Sequence, residues 1–459
     1  MHERKNLVLI VSDTQRKDHL SFYGNSSIHT ENLERLAKKS TVFEHFYSAS
    51  FPTVPARADL LTGKWTFPYL GWAPMPEGET VLPQILGEAG YATFAAVDTP
   101  FYMRDGFRYD HAFDIFTEIY GQGMNAKLKQ EHIVKRRMSE EDYFAPRTMM
   151  EAQRLLEKNH GNGKPFFLLV DTWDPHEPWD PPAWYVERYR PNYDGTVVYP
   201  TYGRTDAGDV TKEEVDLAHD CYRGEISMVD HWVGSLLMKL EDMNLMDDTI
   251  IVYSSDHGFY FGEHGIFGKS IKDNSPKFSK EERWRGDWLR SPLYEEAIHV
   301  PLVICHPDYE PKHVSNLGSF VDLMPTILDL LGIERPTTVQ GKSLAGAVKG
   351  DESFVGEQLV VTSPPLSNPG TAIKIVDSIE RRVREFLPST ITTHEWSLIY
   401  SAKGEIAELY NLEKDPKQKK DVIGENPDVA RRLHSDFLSV LKSCKVDPRL
   451  LKPREEITI

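Results

Sequence analysis

Cysteine is scarce in this chain, with Cys221, Cys305 and Cys444 the three among 459 residues, far apart and without Cys-x-x-Cys spacing. That argues against a disulfide framework and reads as buried or incidental thiols in a reducing compartment. Positive charge is also short. A formal net charge of −17 argues against a nucleic-acid partner, whose footprint on the protein would be basic. It also means that any anionic ligand needs a locally positive pocket made by metal, Arg or Lys. No stretch approaches the unbroken apolar run of about 20 residues that a membrane span requires. Met1 to Asn6 runs straight into a strand and leaves no room for a signal peptide, so the expectation is a cytoplasmic protein without a membrane partner. Internal repeats and low-complexity tracts are missing as well.

What is present describes a globular protein with a large core, 40% hydrophobic and 27% charged. At this length it exceeds one ordinary domain unless that domain is a large α/β unit. Leu7 to Val11 is a continuous apolar, β-branched run that fits a strand buried on both faces of a parallel sheet, and it ends in Ser12-Asp13-Thr14-Gln15. In open α/β sheets ligands sit outside the carboxyl ends of the strands, so Asp13 suits a site; it equally suits the cap of a following helix. Residues 32–39 read as a helix, and 41–49 leads into Ser50-Phe51-Pro52-Thr53-Val54-Pro55-Ala56-Arg57-Ala58-Asp59-Leu60-Leu61-Thr62-Gly63. There Pro52 and Pro55 restrict the backbone around one hydroxyl, with an arginine four residues on. A hydroxyl beside a guanidinium suits covalent attack on a phosphate or sulfate ester, the arginine bracing the anion through paired donors. The same residues also fit a proline-rich turn leading into a helix.

Further strands are expected at 91–97, 166–170 and 249–253, and the longest helical pattern runs over 212–243 with Val215, Ala218, Tyr222, Ile226, Val229, Val233, Leu236 and Leu240 at spacings of three and four. The 166–170 strand delivers Asp171 to Trp179, a turn of acidic and imidazole groups among prolines and tryptophans. His176 in that turn fits a pocket rim or an ordinary surface loop. The 249–253 strand delivers Ser254-Ser255-Asp256-His257-Gly258. Adjacent carboxylate and imidazole ligands at a strand end, with Asp13 and the Thr53 oxygen, would make a mixed O/N site for a divalent ion, the alternative being a hydrogen-bonded turn. Such an ion would lower the pKa of the threonine hydroxyl and polarise a bound ester. Gly262 to Lys269 follows, with His264 and Lys269 placed either to meet a leaving group and an anionic oxygen or to stand in a solvated loop.

Taken in order, these pieces resemble the sulfatase family of the alkaline phosphatase superfamily. The resemblance is carried by 6–24 with Asp13, Thr53-Val54-Pro55-Ala56-Arg57 with Leu60 to Gly63, Asp174-Pro175-His176-Glu177-Pro178, Ser255-Asp256-His257-Gly258, the 262–269 loop, Tyr294-Glu295-Glu296-Ala297 with Val300-Pro301-Leu302, and Glu408 to Leu412 with Asp415-Pro416. It spans nearly the whole chain. The resemblance implies an α/β fold with a large, mixed, mostly parallel sheet flanked by helices over residues 1–360 and a smaller α+β domain over 361–459. It also implies Asp13, Thr53, Asp256 and His257 around the metal, Arg57 bracing the nucleophile, and His176, His264 and Lys269 contacting substrate.

Three departures qualify it. Family sulfatases carry Cys or Ser at the Thr53 position, converted to formylglycine; threonine is not expected to convert and attacks as an alkoxide. Phosphodiesterases of the wider superfamily use such a threonine, so the expectation leans to a phosphate ester or phosphonate ester. A sulfuric ester hydrolase, a replaced native Cys or Ser, and a non-catalytic anion-binding homologue are the alternatives. Asp98-Thr99-Pro100-Phe101 stands where many sulfatases have Gly-Lys-Trp-His, and Thr14 follows Asp13 where a second aspartate is common. No Asp-x-x-x-His element for a second zinc is found, so one ion is expected, Mn²⁺, Zn²⁺, Ca²⁺ or Mg²⁺, with the histidine tilting toward Mn²⁺ or Zn²⁺.

The polar insertion 270–292, with six Lys/Arg and two tryptophans, is expected to act as a lid or subunit contact that recognises a larger anionic substrate, the alternative being a solvated loop, and 125–143 as a charged surface excursion. Residues 321–332 should form a helix ending at Gly332. Strands near 395–401 and 408–412 and a final helix over 428–442 are expected in the smaller domain. The partner is a small or oligomeric anionic ester, and self-association into a homo-oligomer is expected.

Overall fold

The apolar run after Lys5 becomes the central strand of the molecule. In β1 (Asn6–Ser12) all seven residues are buried, with Leu7, Leu9 and Val11 in the core on one sheet face and Val8 and Ile10 in the core on the other. Side chains alternate across a strand, so a strand covered on both faces must read as uninterrupted hydrophobics. The computed structural model describes residues 4–98, 106–119, 137–272, 287–290, 292–376, 379–402 and 407–459.

Seven further strands join β1 in one sheet: β2 (Thr41–Tyr47), β3 (Ala92–Val97), β4 (Ile115–Glu118), β5 (Phe166–Thr172), β6 (Thr249–Ser254), β7 (Leu302–Cys305) and β8 (Lys312–Ser319). Their spatial order is β8-β2-β7-β6-β1-β5-β3-β4. All neighbours pair in parallel except β7, which runs antiparallel to both β2 and β6. Helices Thr53–Thr62 and Leu323–Leu330 cover one face, and Glu31–Ala37, Phe144–Asn159 and Lys212–Asp242 cover the other. The α/β sheet flanked by helices is therefore as the sequence implies.

Register decides where the chemistry collects. Val11 of β1 lies beside Asp171 of β5 and Ser254 of β6. Three adjacent parallel strands thus release their chains at one edge, and the loops starting at Asp13, Trp173 and Ser255 meet there.

Toward the C-terminus, Val360–Thr362, Ser389–Thr392, Trp396–Tyr400 and Glu408–Asn411 form an antiparallel sheet. Helix Pro427–Ser443 packs on it, burying Leu433, Phe437 and Leu441 against Ile391, Leu398 and Leu409. Between the first two strands of that sheet the chain forms a hairpin of Ala372–Val376 and Ile379–Arg382. The helix expected over 321–332 begins as a tight turn, Phe320–Asp322, and continues as Leu323–Leu330. Most of the 270–292 insertion, the first part of the 125–143 excursion and residues 99–101 lie outside the described residues. Among the described residues, no helix is long and apolar enough to cross a membrane.

Candidate active site

Helix Thr53–Thr62 is buried along its whole length. Polar side chains inside it therefore need partners, and each has them. Asp59 accepts from Ser50 N at 2.6 Å, Ser50 Oγ at 2.9 Å, and Thr66 N and Oγ1 at 2.7 Å. That network fixes the chain three residues before Thr53. Thr53 and Arg57 are one turn apart on one helix face, and that face is turned to the strand ends.

Thr53 is the first residue of the helix, 3% exposed, with its Oγ1 3.2 Å from His257 Nε2. The positive end of the helix dipole and free N–H groups favour negative charge there. His257 Nδ1 lies 3.1 Å from the carbonyl oxygen of Gly258 and donates to it. That tautomer leaves the Nε2 lone pair directed at Thr53. Burial lowers the His257 pKa to about 3, which keeps the imidazole neutral. Gly258 is required by close packing, because a Cβ there would stand 2.1 Å from the Glu296 carbonyl oxygen.

Arg57 holds three carboxylates at once. Its Nε and Nη2 form a fork with Asp171 at 3.2 and 2.8 Å, and Nη1 reaches Asp13 Oδ2 at 2.9 Å and also Asp256 Oδ2. The paired donors expected to brace the anion are thus given to Asp171 in this structure. Burial and the neighbouring Asp256 charge push Asp13 well above the usual carboxylate range. Burial alone would raise Asp256 too, but the Arg57 charge, the neighbouring His257 and the hydrogen bonds from Thr14 N and Asp13 together outweigh it and bring that group down to about 2.

Asp13 caps no helix. It sits fully buried between Arg57 and Thr14, whose Oγ1 donates to Asp13 Oδ1 at 2.7 Å and whose N donates to Asp256 Oδ1 at 2.9 Å. Thr14 does this from φ +63°, in the left-handed region that a β-branched residue rarely adopts. Such backbone strain is held by its surroundings and clusters at functional sites; here Tyr222 donates to the Thr14 carbonyl at 2.7 Å.

One carboxylate oxygen of Asp13, one of Asp256 and an imidazole nitrogen of His257 lie within 4.8 Å of one another. Asp13 Oδ2 has no hydrogen-bond donor despite being buried and only an ionic contact with Arg57. Three buried carboxylates, Asp13, Asp171 and Asp256, around the single guanidinium leave excess negative charge that burial makes costly. Carboxylate, carboxylate, imidazole and the Thr53 oxygen therefore fit a divalent cation.

The opposite wall is built by the turn after β5. His176 stacks on Trp173 with ring centroids 3.8 Å apart, and its Nδ1 donates to the Glu177 carbonyl. Burial, reinforced by the Lys269 charge, holds the His176 pKa well below its ordinary value. Lys269 Nζ lies 3.3 Å from Glu177 Oε2, and the Tyr202 hydroxyl donates to Glu177 Oε1. Asp98, from the end of β3, anchors this turn by accepting from Thr148 Oγ1 at 2.8 Å, Thr172 Oγ1 at 3.1 Å and the Trp173 backbone.

The structure thus brings together Asp13, Thr53, Arg57, Asp256 and His257, with His176 and Lys269 on a shared wall. His264 faces elsewhere: its ring stacks on Tyr294 at 3.7 Å and its Nε2 lies 3.1 Å from Glu296 Oε2. Asp171, Thr14, Glu177 and Tyr202 were given no role from the sequence. Asp171 carried a signal, being the last carboxylate of a buried strand beside β1.

A model of the sulfatase family matches residues 5–333. The chain belongs to the sulfatase family. Members of this family of ester hydrolases generally bind a divalent cation. The chain is 24% identical over 477 residues to an arylsulfatase of Clostridium perfringens, covering 92% of this chain and 90% of that protein. Its fold is that of a phosphonate monoester hydrolase of Agrobacterium radiobacter, with TM-score 0.73, 20% identity and 96% of each chain covered. A protein solved in complex with its substrate D-glucosamine-2-N,6-O-disulfate shares the fold at TM-score 0.71 and 20% identity, over 99% of this chain and 100% of that one. The sulfatase-family sheet here thus presents its strand-end loops around a threonine.

Proposed function

We propose that this sulfatase-family hydrolase cleaves a phosphate ester or phosphonate ester, with Thr53 as nucleophile and one divalent cation held by Asp13, Asp256, His257 and the Thr53 oxygen. The observation that carries the reading is the placement of Thr53: a buried hydroxyl at a helix N-terminus, 3.2 Å from His257 Nε2, one turn before an arginine that gathers three carboxylates. Of the candidate ions, Mn²⁺ and Zn²⁺ suit the imidazole better than Ca²⁺ or Mg²⁺. When bound, the cation lowers the pKa of the Thr53 hydroxyl and polarises the ester oxygen.

The chain's own residues supply the rest. Thr53 Oγ gives up its proton to solvent water and forms a bond to phosphorus as the bond to the leaving alkoxide or aryloxide breaks. Lys269 donates to an anionic oxygen of the ester, and His176, held neutral and fixed against Trp173, orients the group. Water then attacks the phosphorus of the threonine adduct, releasing phosphate from a monoester, a phosphate monoester from a diester or a phosphonate from a phosphonate ester, and restoring the hydroxyl. Arg57 keeps Asp256 ionised and holds Asp13 in place.

A second reading, a sulfuric ester hydrolase, is favoured by the near-full-length similarity to an arylsulfatase. Parallel assay of an aryl sulfate, a phosphate monoester, a phosphate diester and a phosphonate monoester, each with added Mn²⁺, Zn²⁺, Ca²⁺ and Mg²⁺, separates the two. The first reading expects phosphorus esters to turn over fastest; faster aryl sulfate hydrolysis overturns it.

A further inference from the structure

Glu177 is an acid built into the wall of a site for anions. Its Oε2 lies 3.3 Å from Lys269 Nζ and 3.4 Å from His176 Nδ1, with the side chain 12% exposed. Its other oxygen is held by the Tyr202 hydroxyl. Tyr202 is itself wedged against the residue before Lys269: a Cβ on Gly268 would come within 2.9 Å of its ring. Tyr202, Glu177 and Lys269 are therefore packed as one unit, and Glu177 is not free to swing away. Arg381, the other cation facing Tyr202, also faces Asp287, which binds its strand neighbours through Arg382 N at 3.0 Å and Arg384 Nε at 2.8 Å. Asp287 is also ion-paired with Arg384 and so is shared between two arginines.

The charge balance around Thr53 follows. Asp13, Asp171, Asp256 and Glu177 face Arg57 and Lys269, so a divalent ion brings the site to neutrality before substrate arrives. A singly charged phosphoryl group adds one negative charge. A phosphate monoester dianion adds a second, and Glu177 has already spent the lysine that would meet it. At the dielectric of a partly buried site, one extra charge pair several ångströms apart shifts binding by about tenfold or more.

We propose that Glu177 is a specificity determinant that makes the site favour singly charged esters over the phosphate monoester dianion, by neutralising Lys269. The proposal rests on the reading that Lys269 meets the anionic oxygens of the substrate. Two readouts test it at pH 8 on the metal-loaded protein. One is the ratio of kcat/KM for p-nitrophenyl phosphate to that for methyl p-nitrophenyl phosphate. The other is the calorimetric Kd of inorganic phosphate against that of dimethyl phosphate, which needs no turnover.

In Glu177→Gln both ratios shift about tenfold toward the dianion, while Tyr202→Phe, which keeps the carboxylate and loses its hydrogen bond, leaves them within about twofold. Ratios unmoved in Glu177→Gln, or moved equally in Tyr202→Phe, overturn the proposal. If Glu177→Gln does not fold, the unaltered protein decides: phosphate dianion binding tighter than dimethyl phosphate overturns it. A shifted binding ratio without any turnover supports the role of Glu177 and counts against Thr53 chemistry alone.

Discussion

His257 and His264 lie seven residues apart in one glycine-rich segment, and they have opposite fates. His257 leaves the end of β6, a strand locked by register to β1, and its Nε2 reaches Thr53 Oγ1 at 3.2 Å. His264 comes after the chain has turned at Gly262 and itself adopts φ +54°, which reverses its side chain onto Tyr294 and Glu296. Tyr294 in turn donates to Glu408 at 2.7 Å, so the second histidine is tied to the C-terminal sheet. A place beside Thr53 in the candidate site is conferred by the strand end that delivers a residue; closeness along the chain is not enough.

The comparison breaks most sharply at Thr53, the proposed nucleophile. Thr53→Ala should lower kcat/KM by about 10⁴-fold or more on whichever phosphorus ester is turned over best, with metal affinity by calorimetry reduced far less. Retained activity would remove Thr53 from the mechanism. His257→Ala should cost about 100-fold or more in metal affinity, because a direct ligand contributes at least as much as an outer-shell partner. Equal metal affinity in that variant would place the ion elsewhere.

Metal affinity should also depend on pH through Asp13. Its folded pKa is raised by burial and by Asp256, so a cation must displace its proton. Affinity then rises about tenfold per pH unit until Asp13 is ionised in the metal-free protein, and is flat above; Asp256, at about 2, and His257, at about 3, are already deprotonated. A calorimetric titration series without that slope contradicts the assignment of Asp13. The smallest effect is expected at the second histidine. His264→Ala should change kcat/KM by less than about tenfold while lowering stability by about 1–3 kcal/mol, through lost stacking on Tyr294 and a buried Glu296 left without its partner. A loss near that of His257→Ala would return His264 to the catalytic group.

Much of this was legible in the sequence. β1, β5 and β6 announce themselves as uninterrupted apolar runs because both sheet faces are covered, and each ends in a residue able to bind or react. Thr53 and Arg57 are one helical turn apart, so their shared face follows from spacing alone. Asp171 was harder: it belongs to the strand, and its fork with Arg57 depends on the register of β5 against β1. Thr14 was read as a missing aspartate, whereas its hydroxyl and backbone N–H join Asp13 to Asp256. The pairing of Lys269 with Glu177 links loops 92 positions apart, which no local pattern encodes.

The central claim is that Thr53 Oγ forms the bond to phosphorus. It is tested most directly by rapid acid quench of the metal-loaded protein with a slow aryl phosphorus ester, followed by peptide mass mapping. The account predicts a phosphoryl or phosphonyl adduct on Thr53, formed during turnover and lost on chasing with unlabelled buffer, and none in His257→Ala. Full turnover with Thr53 unmodified throughout, or an adduct on another residue, would contradict it.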